Sequence, residues 1–350
     1  MDLDLNNLTG IRVLGHGATG TVFLVTNHAS PSLPPFALKV VQIQNPDTNS
    51  RRARSELSVL SLLLSHPHPF LPSLLASLET PSFLSFALPF CPAGDLNSLR
   101  HSLPDKIFSP ASIRFYLSEL ISALSHLHSL GIAYRDLKPE NILLQSNGHI
   151  LLTDFDLSRF FQRFKKLPKS ATRVSPMNRQ RSYSFVGTDE YVAPEVVRGD
   201  GHDFAVDWWA LGILAYEMAY GRTPFRGRNR KETMRNVVAR PPEFVGKQCA
   251  ELIDLMKRLL AKEPERRLGY ASGAEEVKRH RFFNGLKWDL VAEVCRPPFL
   301  PTAEEIEEGE IGRCHKDGGF DVRDYFKKVR IGEAAVDGSS PARVSSFAEF

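Results

Sequence analysis

Along the first ninety residues apolar positions fall in short runs bounded by turn residues, the pattern of strands rather than helices. Ile11–Leu14 runs into a glycine cluster, Thr21–Thr26 alternates, and Phe36–Ile43 is apolar and β-branched. Phe83–Phe90 reads as a buried strand that ends at the turn Cys91-Pro92-Ala93-Gly94. One helix interrupts this series: Arg51–Leu64 has a basic first half and a leucine-rich second half, and prolines stop it. Further on helical spacing dominates, at Ser109–Leu130, Asp207–Gly221 and Ala250–Ala261. Short strands are expected at Ile142–Gln145 and Ile150–Thr153, around the Asn147-Gly148 turn. The pattern predicts an α+β, bilobal architecture. A small strand-rich lobe covers about residues 8–90 and a larger helical lobe about 91–283.

Composition narrows the function without naming it. With 350 residues the chain exceeds a typical single domain, and 42% hydrophobic with 24% charged residues is the balance of a globular protein. A net charge of +4, from 44 basic and 40 acidic residues, is too even to imply nucleic-acid binding. The cysteines Cys91, Cys249, Cys295 and Cys314 form no Cys-x-x-Cys pair, as expected of reduced thiols in the cytoplasm or nucleus. The opening MDLDLNNLTG lacks the apolar core of a secretory signal. Leu57–Leu78 is interrupted by Pro67, Pro69 and Pro72, so no transmembrane segment is expected. Two segments stand apart. Arg159–Arg181 carries eight basic residues and no acidic one, and 284–350 reads as a tail, rich in charge, Gly and Ser over 301–346. Three readings of the basic stretch stay open: a solvated loop, a patch for nuclear import or anionic membranes, and a docking strip for an acidic partner.

Candidate chemistry begins at Gly15-His16-Gly17-Ala18-Thr19-Gly20-Thr21-Val22, which fits G-x-G-x-x-G-x-V. Glycines there let a hairpin backbone lie close over phosphates, although a plain glycine-rich hairpin fits as well. A dinucleotide site would need a helix directly after the glycines, where Thr21–Thr26 predicts a strand. Lys39 sits in an apolar strand, where a lone charge is costly, and Glu56 on the next helix is its expected partner. The decisive run is Tyr134-Arg135-Asp136-Leu137-Lys138-Pro139-Glu140-Asn141, followed by Asp154-Phe155-Asp156. Asp136 can accept the proton of an acceptor hydroxyl, and Lys138 can steady a transferring phosphoryl group. Asn141 and Asp154, five and eighteen residues beyond Asp136, can hold magnesium.

From about Leu8 to Phe283 the chain resembles a eukaryotic protein kinase, with further matches at Gly187–Glu195, Asp207-Trp208-Trp209 and Arg267. Tyr134 in place of the usual histidine, Arg296–Pro301 and the terminal Phe347-Ala348-Glu349-Phe350 are similar to the AGC family. Asp156 replaces the usual glycine of Asp-Phe-Gly, and Asp154 to Ser184 spans 30 positions. Both features resemble the plant AGC group VIII kinases, and Gly199–Ala205 is most similar to their UNICORN and oxidative-signal-inducible branch.

The resemblance implies a serine/threonine protein kinase that uses ATP and Mg2+, with a pseudokinase-like signalling scaffold as the rival. Leu14 to Val22, Lys39 and Asp95 would line the nucleotide, and Lys39 with Glu56 would clamp it. Asp207 would hold the catalytic loop, and Glu195 would pair with Arg267. Leu60, Phe155 and Tyr134 would stack between the lobes. Ser184 takes the phosphosite position, with Arg135, Arg159 and Arg52 as candidate receivers. Glu140, Glu217 and Asp95 would receive basic residues upstream of the acceptor. Phe347 and Phe350 would dock in cis or on an upstream phosphoinositide-dependent kinase. Phe320–Tyr325 resembles the tail segment that covers the nucleotide.

Overall fold

A computed structural model describes residues 3–17, 20–43, 48–161, 181–184, 187–246, 249–294, 297–299, 319–322 and 324. Strands β1 (Leu8–Gly17), β2 (Gly20–Asn27), β3 (Phe36–Gln42), β4 (Ala76–Glu79) and β5 (Phe83–Pro89) form one antiparallel sheet in the order β1-β2-β3-β5-β4. Two register shifts in β1, between Gly10 and Arg12 and between Val13 and Gly15, bend its hairpin with β2. Gly20 is required by proximity: a Cβ there would lie 2.4 Å from the Val40 carbonyl oxygen. Alternation along the strands sends Phe23, Val25, Leu38 and Val40 to an outer apolar layer and points Lys39 the other way, toward α1 (Thr48–Ser65).

The second lobe is helical: α2 (Leu96–Ser102), α3 (Pro110–Ser129), α4 (Pro194–Arg198), α5 (Ala205–Tyr220), α6 (Arg230–Ala239) and α7 (Ala250–Leu259). Ser109 caps α3 by accepting from Ser112 N–H, and Pro110 occupies its first turn, where a missing N–H costs nothing. α5 is buried on nearly every face, which explains its almost uninterrupted apolar sequence. Two-residue strands β6 (Ile132–Ala133) and β9 (Arg159–Phe160) pair, as do β7 (Ile142–Leu144) and β8 (Ile150–Leu152). One apolar core runs from α7 through α5 and α3 to α1 and β5, so the lobes share a continuous interior. The helices and strands expected from sequence are present in a bilobal fold; β4, α2, α4, α6 and the β6–β9 pair are additions. No described helix is long and apolar enough to cross a membrane.

Candidate active site

The two lobes meet in a cleft of about 750 Å³, lined by the β1–β2 hairpin above and the loop 136–143 below. Lys39 enters from β3. Its ammonium lies 2.7 Å from Glu56 and 3.0 Å from Asp154, joining the sheet, α1 and the segment after β8 at one point. Burial raises the Glu56 carboxyl to about 7 even against Lys39, whose ammonium at 2.7 Å favours the carboxylate. Burial likewise pulls the Lys39 amine down, and Glu56 and Asp154 together outweigh it and hold the amine above its ordinary value. The ion-paired form is therefore the one the geometry supports.

Below Lys39, Asp136 is held on three sides. Lys138 donates from 2.8 Å, the Asn141 amide donates to its carboxylate from 2.9 Å, and the Thr188 hydroxyl stands at 3.4 Å. The loop reaches this geometry through strain, because Arg135 has φ 69° and Asp154 φ 58°, left-handed values that non-glycine residues rarely adopt. Buried Asp207 over-determines the first of these. It accepts from Tyr134 N–H at 2.9 Å, Arg135 N–H at 2.7 Å and the His128 ring at 2.7 Å. Tyr134 stacks edge-on with Phe155, centroids 5.3 Å apart, and its hydroxyl donates to the Thr153 carbonyl.

Asp156 adds a carboxylate where glycine would add nothing. Ligand oxygens of Asp136, Asp154 and Asp156 all lie within 4.8 Å of one another. Burial and the Asp154 charge push the Asp156 carboxyl up to about 6. An oxygen-only donor set of carboxylates and the Asn141 amide suits a hard divalent cation such as Mg2+.

A profile of the protein kinase domain matches residues 8–283. The chain belongs to the protein kinase family. It is 49% identical to the serine/threonine-protein kinase UCN of Arabidopsis thaliana, over 94% of this chain and 92% of that one. Similarity to serine/threonine-protein kinase OXI1 of Arabidopsis thaliana is 41% over 87% and 81% of the two chains. Protein kinase PINOID of Oryza sativa is also 41% identical, over 84% and 69%. Within the family the chain is a plant AGC group VIII serine/threonine protein kinase, similar to the UNICORN branch. The enzyme acts on proteins, and its family uses ATP with Mg2+.

Around the cleft the kinase departs from expectation in several details. The Ser184 hydroxyl is 3.1 Å from Arg135, but Arg159 reaches the buried Ser182 instead, at 2.8 Å. Arg52 lines the cleft and acts electrostatically on Arg135 and Asp156. His202, missed in the sequence, forms a two-way backbone bridge with Ser182 and stands 3.2 Å from the Arg135 guanidinium. Glu217 is already paired, 3.2 Å from Arg100 and hydrogen-bonded by the Tyr191 hydroxyl. A lone arginine in α2 is the sequence signal for that partner. Glu140 is exposed at the cleft edge, and Asp95 lines the cleft while capping α2 through Ser98 N–H.

The tail corrects one expectation. Phe320 does not reach the nucleotide cleft; it pairs with Gly10 through two backbone hydrogen bonds and packs edge-on against Phe23 on the outer face of the sheet. Val322 joins the same apolar layer, where it is buried with Phe23, Val25, Leu38 and Val40. Leu14, Gly15, His16, Gly17, Gly20 and Val22 line the cleft; Ala18, Thr19, Phe347 and Phe350 lie outside the described residues, as does most of the basic stretch.

Proposed function

We propose that this kinase transfers the γ-phosphoryl group of ATP to serine or threonine on basic stretches of protein, under control of Ser184 and the terminal Phe-x-x-Phe. The observation that carries the reading is the Lys39 ammonium, held between Glu56 and Asp154 in the same cleft as Asp136. Lys39 is poised for the α- and β-phosphates, and the β1–β2 hairpin forms the lid over them. Asp136 orients the acceptor hydroxyl and takes its proton as the oxygen attacks the γ-phosphorus and ADP leaves. Lys138, 2.8 Å from Asp136, stabilises the charge on the transferring group. Asn141 and Asp154 would hold Mg2+, which when bound neutralises the phosphate oxygens, and Asp156 adds negative charge beside them.

Exposed Glu140 and partly paired Glu217 would receive substrate arginines, a bidentate preference that strengthens when Arg100 is displaced from Glu217. A phosphate on Ser184 adds about −1.5 to −2 charges beside Arg135, favouring an ordered segment. Phe347 and Phe350 would dock in cis or on an upstream phosphoinositide-dependent kinase. A catalytic domain at 8–283 and a regulatory tail at 284–350, residing in cytoplasm, nucleus or both, complete the reading.

The test is mass spectrometry and radiolabel transfer with purified protein, the native chain against Asp136→Asn. Transfer to arginine-rich peptides should be lost in the variant. Equal incorporation would overturn the role of Asp136, and a peptide library without upstream basic preference would overturn the substrate reading. Ser184→Ala should lower activity several-fold.

A further inference from the structure

The loop after α5 and the helix α6 form a cationic surface beside the loop 188–190. Seven exposed arginines and lysines lie between Arg222 and Arg240, and Glu232 is the single carboxylate in that stretch. The surface is continuous with the active site. Arg226 pairs with Glu190 at 3.4 Å and Arg230 with Asp189 at 3.0 Å. The next residue back, Thr188, stands 3.4 Å from Asp136. Exposed Arg228, Lys231 and Arg235 continue the charge along the loop and α6, Arg235 standing 3.6 Å from Glu232. The Arg228 backbone N–H, and after it the charges of Arg228, Arg235 and Arg240, hold the Glu232 carboxyl below its usual range.

A helix this basic is not built for the core. Its buried side, Thr233, Asn236 and Val237, is narrow, and the cations cover the rest. Like charges packed on one face repel one another, so an acidic partner relieves that repulsion while forming ion pairs. We propose that α6 and its preceding loop dock a carboxylate-rich segment of the protein substrate, outside the stretch that carries the acceptor. A protein segment fits better than a membrane because the charges lead onto the loop 188–190, beside Asp136, where a protein substrate would present its acceptor. The surface thus attracts the opposite charge to the one assigned above to Glu140 and Glu217, and selects substrates whose basic and acidic stretches are separate. Serine/threonine kinase activity is presupposed, but the docking itself is readable without turnover.

The experiment compares an acceptor peptide bearing a flexible neutral tail after the acceptor with one bearing five glutamates there. The full chain and its Arg228→Gln/Lys231→Gln/Arg235→Gln variant are used, with KM from steady-state kinetics and affinity from fluorescence anisotropy. The native chain should show about a tenfold lower KM and Kd for the acidic tail, the combined effect of about three exposed ion pairs. In 0.5 M salt the advantage should vanish, since the Debye length falls to a few ångströms. The variant should lose the advantage while keeping kcat and KM for the neutral-tailed peptide. Equal affinity of the native chain for both tails overturns the proposal, as does a variant that retains the preference. The same holds if the variant loses binding to vesicles containing 30% phosphatidylserine while its peptide preference is unchanged, because the surface is then a membrane contact.

Discussion

Arg267→Met isolates the buried ion pair that ties α4 to the segment after α7. The guanidinium is fully buried and donates to Glu195 at 2.7 and 2.9 Å, to the Ala205 carbonyl at 2.9 Å and to the Ala261 carbonyl at 3.2 Å. Removing it leaves the Glu195 carboxylate, itself almost fully buried, without a partner in low dielectric. Breaking one side of such a pair costs about 3–5 kcal/mol. In a domain of this size each kcal/mol shifts Tm by roughly 2–4 °C, so the expected loss is about 6–20 °C by differential scanning calorimetry. The double variant Glu195→Gln/Arg267→Met removes the orphaned charge together with its partner. It should lose clearly less than the sum of the single variants, by about 1–3 kcal/mol of coupling. A single-variant loss under 2 °C, or a double variant equal to the sum, would refute the claim that an uncompensated buried charge sets the cost.

Three further outcomes follow from the cleft. Glu56→Gln removes one charged hydrogen bond from Lys39 and should lower kcat about 10- to 100-fold in a peptide assay, with Tm held within a few degrees. Asp156→Asn should raise the Tm of the metal-free chain at pH 7.5 and leave it unchanged near pH 3.5. The carboxyl is pushed up to about 6, so its charge destabilises the fold as pH rises from about 4 through 6 and above. His202→Gln should flatten the fall of Tm between pH 6.5 and 4. Burial and then Arg135 push that imidazole down to about 4, so the unfolded chain takes up its proton first, a loss on the order of 3 kcal/mol across the window.

The fold was legible wherever burial imposes a period on the sequence. α1, α3, α5 and α7 emerge from apolar spacing because each lays one or more faces against the shared core. The convergence of Lys39, Glu56, Asp136, Asn141 and Asp154 was readable from the motifs in which each charge stands. α6 escaped because it buries only Thr233, Asn236 and Val237, two of them polar, and its charged residues are as many as its apolar ones. The β6–β9 pair is two residues long, too short to carry alternation. The Arg100–Glu217 pair joins α2 to α5 across 117 positions, so the lone arginine of α2 marks a charge in need of a partner but not which carboxylate supplies it. The place of Phe320 was misread for a related reason. The spacing of the tail marks an apolar residue but not which of two apolar surfaces it covers, and Gly10 admits a ring that any side chain there would exclude.

The catalytic loop and the proposed phosphosite meet in one residue, Arg135. Buried Asp207 fixes the Tyr134 and Arg135 backbone, and the left-handed φ of Arg135 sets the direction in which Asp136 leaves the loop. The side chain of the same Arg135 runs the other way, to the Leu157 carbonyl, Ser182, Ser184 and His202. Burial and Arg159 pull that guanidinium down to about 10, which leaves it charged at neutral pH and short of carboxylate partners among the groups it touches. A phosphate on Ser184 would supply the missing anion at the one arginine whose backbone is already rigid. Its charge would therefore act on ordering the segment around Ser182 and Ser184 and very little on moving Asp136, so phosphorylation should change KM for the peptide more than the chemical step.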